Sequence, residues 1–164
     1  LLQSLYVDKT AALDEELIAA ANARDIPVRG LETDAFQQRL RDRWLDLRFL
    51  RCSLAAVDSR RELQADAMAK LSHYCSGADG PPGPSAKERQ DMLAGGYSEA
   101  EVDLLVEELL FARNRAWLPQ LEPMLAGGGA FIAVGVDHLS GPRGIIAMLR
   151  ARGHILAPVD ARPQ

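Results

Sequence analysis

The sequence predicts an α/β fold with a mostly parallel sheet of few strands and a helical insertion. Short apolar runs typical of buried strands alternate with longer segments whose apolar residues recur at helical spacing. The last unit is a strand, a helix and a strand, an order that predicts a right-handed parallel crossover. A length of 164 residues, with 48% hydrophobic and 26% charged residues, is typical of one globular domain. We therefore expect residues 1–164 to form a single domain, with the helical insertion over about residues 34–118.

The first predicted elements are a helix and a short strand. Residues 14–25 place apolar side chains on one helical face, and residues 27–31 follow as an apolar strand. Glu32 stands directly at the carboxyl end of this strand. Asp34 then fits the N-cap of the first helix of the insertion. That helix has an apolar stripe at steps of three and four, formed by Phe36, Leu40, Trp44, Leu47, Leu50 and Leu54.

The rest of the insertion is predicted to contain two helices joined by a loop. Residues 59–74 form the first helix, and residues 77–85, rich in glycine and proline, form a surface loop. The longest helix begins at Ser98, and Glu101 three residues later completes the pattern of a capping box. Glycines at residues 127–129 are expected to end this helix.

The longest helix carries a charged residue within its apolar stripe. Continuing the stripe along the chain brings Arg113 and then Trp117 to the buried side of the helix. Proline lacks a backbone N–H and obstructs the preceding turn. Pro119 and Pro123 are therefore expected to kink or restart the helix near Leu118.

The chain closes with a strand, a helix and a strand. Residues 130–134 form the first strand, residues 142–152 the helix, and residues 154–159 the closing strand. The sequence G-V-D-H, which follows the first of these strands, ends at His138. The carboxyl ends of parallel strands meet at one edge of a sheet, where α/β proteins place their sites. We therefore expect Glu32 and His138 at the same edge.

Charge and hydropathy exclude several classes of protein. The net charge is −4 and the isoelectric point about 5.4, so we expect no nucleic-acid partner. No apolar run approaches the roughly 20 residues of a membrane helix. A signal peptide is not visible, but the chain begins at Leu1 rather than at methionine. We therefore expect a processed or partial form of a longer protein, for which a missing signal identifies no compartment.

The chain has two cysteines, Cys52 and Cys75, in or near helical segments that could pack as a hairpin. Their spacing does not match a metal site. In an oxidising compartment they can form a disulfide. Two buried free thiols are an equal alternative.

Three polar residues are candidates for function, and each has a structural alternative. Glu32 is either a helix-capping or surface carboxylate, or a metal ligand or general base. Arg113 either extends its head group to solvent, or is a buried guanidinium that pairs with a carboxylate or a substrate anion. His138 is either a structural histidine, or a ligand or acid–base group with partners such as Glu32. His73 and His154 carry no functional prediction.

These candidates coincide with a pattern that resembles the TraB/GumN family, which also includes the Tiki-type proteins. The resemblance covers most of the chain, and it is weakest over residues 52–96. Residues 13–33 resemble the family segment D-x-x-L…A…P-V-x-G-L-E-T. The other matching elements are L-E-T at residues 31–33 with Gln37, R-N at residues 113–114 with Trp117, F-I-A-V-G-V-D-H-L at residues 131–139, Gly141, Gly144 and L-R-A-R-G at residues 149–153.

The resemblance implies a fold related to the erythromycin-esterase and ChaN-like proteins, and the activity of a metal-dependent hydrolase. Tiki-type members are membrane-tethered metalloproteases. Sites of the family contain two G-x-x-H motifs, a glutamate and a nearby arginine. By this match His138 is the histidine of the second motif, Glu32 is the glutamate, and Arg113 and Asn114 are the R-N pair.

The resemblance also implies a mechanism. A divalent metal, zinc or manganese, is expected between two histidines and Glu32, with His138 as one of the histidines. Arg113 is expected to stabilise the oxyanion or to orient Glu32. The expected reaction is cleavage of a peptide or ester bond in a peptide or small-molecule substrate.

The chain departs from the family pattern because it contains a single G-x-x-H. The first motif is expected in an N-terminal half preceding Leu1, so this chain would be the C-terminal part of a TraB/GumN-like protein and weak or inactive alone. A non-catalytic binding module for a peptide, a signal or a cell-envelope partner is the alternative. Bacterial GumN-like proteins usually carry secretion signals, which implies a periplasmic or extracytoplasmic location. Three predicted strands are few for a parallel sheet, so we expect a homodimer to be able to complete it.

Overall fold

The computed structural model describes residues 13–58, 61–62, 64–65, 68–69, 72, 76 and 82–159. Within these residues the fold is helical and contains no β-strand. The predicted α/β fold with a parallel sheet and a right-handed crossover is therefore wrong for the part of the chain that is described.

Seven α-helices with assigned bounds, one π-helix and one 3-10 turn follow one another along the described residues. The first three helices are α1 (Leu13–Asn22), α2 (Asp34–Trp44) and α3 (Leu47–Asp58). The described residues between 61 and 72 are also helical, within the range predicted for the next helix. The later elements are α4 (Ala86–Ala94), α5 (Glu99–Val106), the π-helix (Glu107–Phe111), α6 (Ala112–Gly127), the 3-10 turn (Val136–His138) and α7 (Ile145–Arg150).

The three predicted strands are irregular segments at residues 27–31, 130–134 and 154–159. A strand exists only through hydrogen bonds to a neighbouring strand, and none of the three segments is paired in this way with another described residue. The segments at residues 130–134 and 154–159 nevertheless alternate in burial along the core. Ile132 packs against the helical core, whereas the neighbouring Phe131 is 80% exposed.

The helix predicted over residues 142–152 is shorter than expected. It spans only Ile145–Arg150 as α7, with Gly144 in an extended conformation at its N-cap. Pro142 lies in a turn before the helix rather than in its first turn. Gly153 follows the helix with a φ of 89°, a left-handed conformation that favours glycine.

Side-chain caps define where the helices begin. Thr33, and not the predicted Asp34, caps α2, because the Thr33 hydroxyl accepts a hydrogen bond from the Phe36 N–H. Asp34 instead occupies the first turn, where its charge favours the helix dipole. The predicted capping box of Ser98 and Glu101 is confirmed at the start of α5.

The single amphipathic stripe predicted from Phe36 to Leu54 belongs to two helices. The first, α2, ends at Trp44, and α3 begins at Leu47. At the break, the Asp46 carboxylate accepts a hydrogen bond of 2.8 Å from the Phe49 N–H. This bond and contacts with Arg48 lower the pKa of Asp46. A capping carboxylate can therefore divide a stripe that is continuous in sequence.

The longest helical stretch runs without interruption from α5 through the π-helix and α6. The Ala112 N–H donates to the Glu107 carbonyl, an i→i−5 bond that marks the wider turn. Pro119 and Pro123 lie inside α6, which neither ends nor restarts near Leu118. Side chains of α6 around the prolines are buried in the core, and this packing holds the helix together.

The core lies between α6 and α7. It is formed by Trp117, Leu118, Leu121, Ile145 and Leu149. Apolar residues of the three irregular segments, among them Leu31, Val134 and Leu156, pack around it. No helix in the described part of the chain is long and apolar enough to cross a membrane.

The cysteine prediction is tested only in part. Cys52 is a half-buried free thiol in α3, and burial raises its pKa. Cys75 lies outside the described residues, as does His73.

Candidate functional site

A cluster of polar side chains lies at the edge of the core and contains all three sequence candidates. We call it the polar cluster, and it consists of Glu32, Arg113, Asn114, Trp117 and His138. Three of these residues come from the first two turns of α6, one follows the segment at residues 27–31, and one ends the 3-10 turn. The helix α6 therefore joins two distant parts of the chain in one site.

Glu32 and Arg113 form a two-point ion pair. The Arg113 Nε donates to Glu32 Oε1 at 2.7 Å, and Nη2 donates to Oε2 at 3.0 Å. The side chain of Glu32 is 7% exposed and that of Arg113 is 20% exposed. Such parallel charge-assisted bonds fix both charges in one geometry. Arg113 therefore pairs with a carboxylate, as the buried-guanidinium interpretation requires.

Two further contacts hold this pair in place. The Trp117 indole Nε1 donates to Glu32 Oε1 at 3.0 Å, and the Arg113 Nη1 donates to the Leu109 carbonyl at 2.9 Å. The guanidinium carbon of Arg113 lies 4.9 Å from the centroid of the Trp117 ring. A cation over an indole face gains additional electrostatic stabilisation. Trp117 thus contacts both members of the ion pair.

Trp117 also connects the ion pair with His138. The centroids of the two rings lie 4.5 Å apart, with an angle of 45° between the ring planes. His138 is 6% exposed. The prediction that Glu32 and His138 lie at one sheet edge is wrong, because the described residues form no sheet. Both side chains instead contact Trp117 on α6.

Asn114 determines which nitrogen of His138 carries the proton. The Asn114 Nδ2 donates to the His138 carbonyl at 3.2 Å and to the Arg143 carbonyl at 3.0 Å. Because the amide nitrogen faces these carbonyls, Asn114 Oδ1 is the atom that lies 2.7 Å from His138 Nδ1. An amide oxygen can only accept, so Nδ1–H must donate. In the neutral ring Nε2 then has a free lone pair.

The surroundings of His138 keep its ring neutral. Burial lowers the pKa of His138, the positive charge of Arg113 lowers it further, and the negative charge of Glu32 partly opposes both effects. The resulting pKa is about 4, compared with an ordinary value of 6.5. At neutral pH the ring is therefore an uncharged imidazole, the form that can bind a metal or accept a proton.

The loop after His138 is shaped by two glycines. A Cβ on Gly144 would lie 2.3 Å from the carbonyl oxygens of Leu139 and Ser140, a distance that no side chain can adopt. Gly141 has a φ of 76°, in the left-handed region that favours glycine. This tight loop brings the Arg143 carbonyl to Asn114. The glycines that match the family pattern therefore permit the tight loop whose Arg143 carbonyl accepts from Asn114.

The polar cluster offers two atoms to an additional ligand. No described residue forms a hydrogen bond with His138 Nε2. Within the described part of the chain, hydrogen bonds use three of the roughly four acceptor positions of the Glu32 carboxylate, which leaves one on Oε2. However, no group of three or more His, Cys, Asp or Glu side chains able to hold a metal occurs among the described residues. By themselves these two atoms do not supply the roughly three protein ligands of a hydrolytic metal site.

Two roles in the cluster were not predicted from the residues. Trp117 was expected as a member of the apolar stripe and of the family pattern, without a role in the site, and its position four residues after Arg113 was the available signal for a shared face. Asn114 was matched to the family without a role. A fully buried asparagine inside an amphipathic helix requires polar partners, and here they are backbone carbonyls and the histidine ring.

The described residues form a helical protein with a buried polar site on one long helix. The site combines the ion pair of Arg113 and Glu32 with the turn that ends at His138. A family model described as the TraB/PrgY/gumN family matches residues 2–158. The match covers most of the chain, and the protein therefore belongs to this family, which confirms the resemblance noted in its sequence. No curated protein and no solved structure shows significant similarity to the chain.

Proposed function

We propose that this chain contributes His138 and Glu32 to the site of a metal-dependent hydrolase that cleaves peptide or ester bonds. The observation that carries the proposal is the bond between His138 Nδ1 and Asn114 Oδ1. Histidines that bind metals usually donate their second ring N–H to a fixed acceptor, which sets the tautomer. His138 has such an acceptor and a low pKa, so Nε2 is ready to bind at neutral pH.

Glu32 and Arg113 would act as a unit in this site. Arg113 holds the Glu32 carboxylate in one orientation and leaves one acceptor position on Oε2. Arg113 would also lie close enough to stabilise negative charge that develops on a substrate oxygen. A bound zinc or manganese ion would polarise the substrate carbonyl and lower the pKa of a bound water. The remaining protein ligand would come from outside the described residues.

A non-catalytic binding module remains the second candidate, and a specific observation favours it. The Glu32 charge is already balanced by Arg113, and Trp117 adds a third hydrogen bond. An ion pair of this kind is complete without a metal. On this proposal the polar cluster is a structural support, and the chain binds a peptide, a signal or a cell-envelope partner without chemistry.

Two further proposals concern the setting of the protein. The first is a periplasmic or extracytoplasmic location, which is supported by the family alone. The second is a homodimer formed through the three irregular segments. Its support is that large apolar side chains of the last two segments, Phe131, Ile155 and Val159, are almost fully exposed. Exposed apolar surface of this kind is typical of interaction sites.

Metal titration tests the main proposal. Zinc and manganese binding would be measured by calorimetry, and peptide and ester hydrolysis by product release, in this chain and in the longest natural product of its gene. The hydrolase proposal predicts stoichiometric metal binding by the longer protein, and loss of binding and activity in His138→Ala. His154→Ala, outside the cluster, serves as the control and should behave as the parent. Absence of binding and activity in both parent proteins would instead favour the binding module.

A further inference from the structure

A cavity of about 510 Å³ adjoins the polar cluster. Cavities that bind small molecules or side chains typically measure about 300–1,000 Å³. Side chains of α2, α3, α4, α5 and the π-helix line it. The apolar wall includes Leu40, Trp44, Phe49, Met92, Leu105 and Leu109.

The aromatic wall of the cavity is held in place by polar contacts outside it. Trp44 is buried, and its indole Nε1 donates to Glu108 Oε2 at 2.9 Å. Arg43 also pairs with Glu108 at 3.0 Å. Because these bonds fix α2 to the π-helix, the wall is preformed and needs little ordering when a ligand enters.

The cavity and the polar cluster share a side chain. Arg113 lines the cavity and also binds Glu32. Asp137, which directly precedes His138, lines the cavity as well. A group inside the cavity would therefore lie beside Arg113, one of the residues that we propose to act on the substrate.

We infer that this cavity binds a large apolar side chain of the substrate next to the bond that is cleaved. The inference rests on the proposed function, because it assigns specificity to the same site. Most of the lining is apolar, although Gln37, Arg41, Arg113 and Asp137 also contribute to it, and Arg113 is already paired with Glu32. Burying an apolar side chain against such a wall is favourable. The preferred substrates are therefore peptides or esters with a residue such as leucine or phenylalanine beside the scissile bond.

A binding measurement tests the inference independently of catalysis. The probes are the N-acetyl amides of glycine, alanine, leucine and phenylalanine, titrated into the chain and followed by NMR. Trp44 lines the cavity, so its indole N–H signal reports binding there. We expect affinity to rise with the size of the apolar side chain, with the phenylalanine amide binding about ten-fold tighter than the glycine amide.

Two matched variants locate the binding. Leu45 lines the cavity and is 44% exposed, whereas Leu50 lies outside it and is 49% exposed. Leu45→Trp should fill the cavity and remove the preference for large side chains, and Leu50→Trp should keep it. Leu40→Trp, from deeper in the wall, provides a second filling variant. Equal affinities for all four amides, or a preference that survives both filling variants, would overturn the inference.

Hydrolysis measured on the metal-loaded longer protein separates this inference from the proposed function. If the affinity rises with side-chain size but no hydrolysis is detected, the cavity assignment is supported and the hydrolase proposal is contradicted. If substrates with small and large side chains are hydrolysed at the same rate, the hydrolase proposal is supported and the cavity assignment is overturned.

Discussion

Single side chains in the polar cluster determine the chemical state of their neighbours. Asn114 fixes the tautomer of His138, and burial together with Arg113 keeps that ring neutral. Arg113 in turn balances Glu32, which Trp117 also contacts. Because each group depends on the next, replacing one member should change properties that are measured at another.

Replacing Glu32 should expose the dependence of Arg113 on its partner. Glu32→Gln keeps the shape of the side chain but leaves the guanidinium charge without its counter-ion in a largely buried position. We expect the free energy of unfolding to fall by roughly 3 kcal/mol in urea denaturation. The pair of Arg152 and Glu122 is much more exposed, and Glu122→Gln should cost less than about 1 kcal/mol. Equal losses in the two variants would show that the buried pair contributes no more to the free energy of unfolding than the exposed pair.

The neutral state of His138 predicts a pH-dependent stability. Its pKa falls from an ordinary 6.5 to about 4 in the folded protein. Between these values the unfolded chain binds a proton that the folded protein does not, so the free energy of unfolding decreases as the pH falls from about 6.5 to 4. His138→Gln should remove this part of the dependence, whereas His154→Gln should keep it. A pH profile that His138→Gln leaves unchanged would contradict the buried neutral ring.

Much of the site could be predicted from the sequence, because it depends on local periodicity. The apolar stripe places Arg113 on the buried face, which its partial burial in the structure confirms. The partner of Arg113 is 81 residues away in the chain, and periodicity carries no information about such a pair. That Arg113 lies near Glu32 was expected only from the resemblance to the family.

Helices and loops are joined at the site by side-chain contacts with the backbone. The side-chain amide of Asn114 on α6 donates to two backbone carbonyls. The His138 carbonyl lies at the end of the 3-10 turn, and the Arg143 carbonyl lies in the loop that follows it. The π-helix immediately before α6 widens one turn and so changes which residues of the helix face this loop. Wide turns of this kind frequently occur at functional sites.

Removing the Asn114 amide should loosen the connection between α6 and the loop. Asn114→Ala leaves two carbonyls and His138 Nδ1 without their partner in a buried position. We expect a loss of roughly 3 kcal/mol in the free energy of unfolding, and faster amide exchange around His138. Gln120→Ala removes an exposed bond from the same helix to the Leu31 carbonyl and should cost less than about 1 kcal/mol. If Asn114→Ala changes neither the free energy of unfolding nor the amide exchange around His138, Asn114 does not connect α6 to the loop.

The helix boundaries show where sequence patterns succeed. The capping box of Ser98 and Glu101 was predicted because both partners lie within four residues. The division of the Phe36–Leu54 stripe was not predicted, because apolar spacing continues across the break at Asp46. The uninterrupted course of α6 through Pro119 also depends on core packing rather than on local preference.

For the molecule as a whole, the absence of a sheet from the described residues has a simple physical origin. Strand pairing is a relation between distant segments, whereas a short apolar run, from which the strands were predicted, is a property of one segment. The segments at residues 130–134 and 154–159 alternate in burial along the core but have no strand partner among the described residues. Their outer faces therefore remain apolar and exposed.

Self-association should follow from these exposed faces. Phe131 is 80% and Ile155 is 98% exposed, and a second copy offers the same apolar segments. We expect dimers in sedimentation velocity experiments, and a monomer after the double change Phe131→Lys and Ile155→Lys. Leu47→Lys, at an exposed position of α3, is the control and should leave the dimer intact. A parent chain that stays monomeric at all concentrations would contradict the homodimer.

The proposed function depends on His138 being a neutral histidine with Nε2 available to a ligand. Long-range ¹H–¹⁵N NMR of the His138 ring at pH 7, with and without added zinc, measures this state. We expect a proton on Nδ1, a lone pair on Nε2, and a selective shift of Nε2 when zinc binds to a form of the protein that supplies the remaining ligands. A proton on Nε2, or a charged ring at pH 7, would make His138 a structural residue.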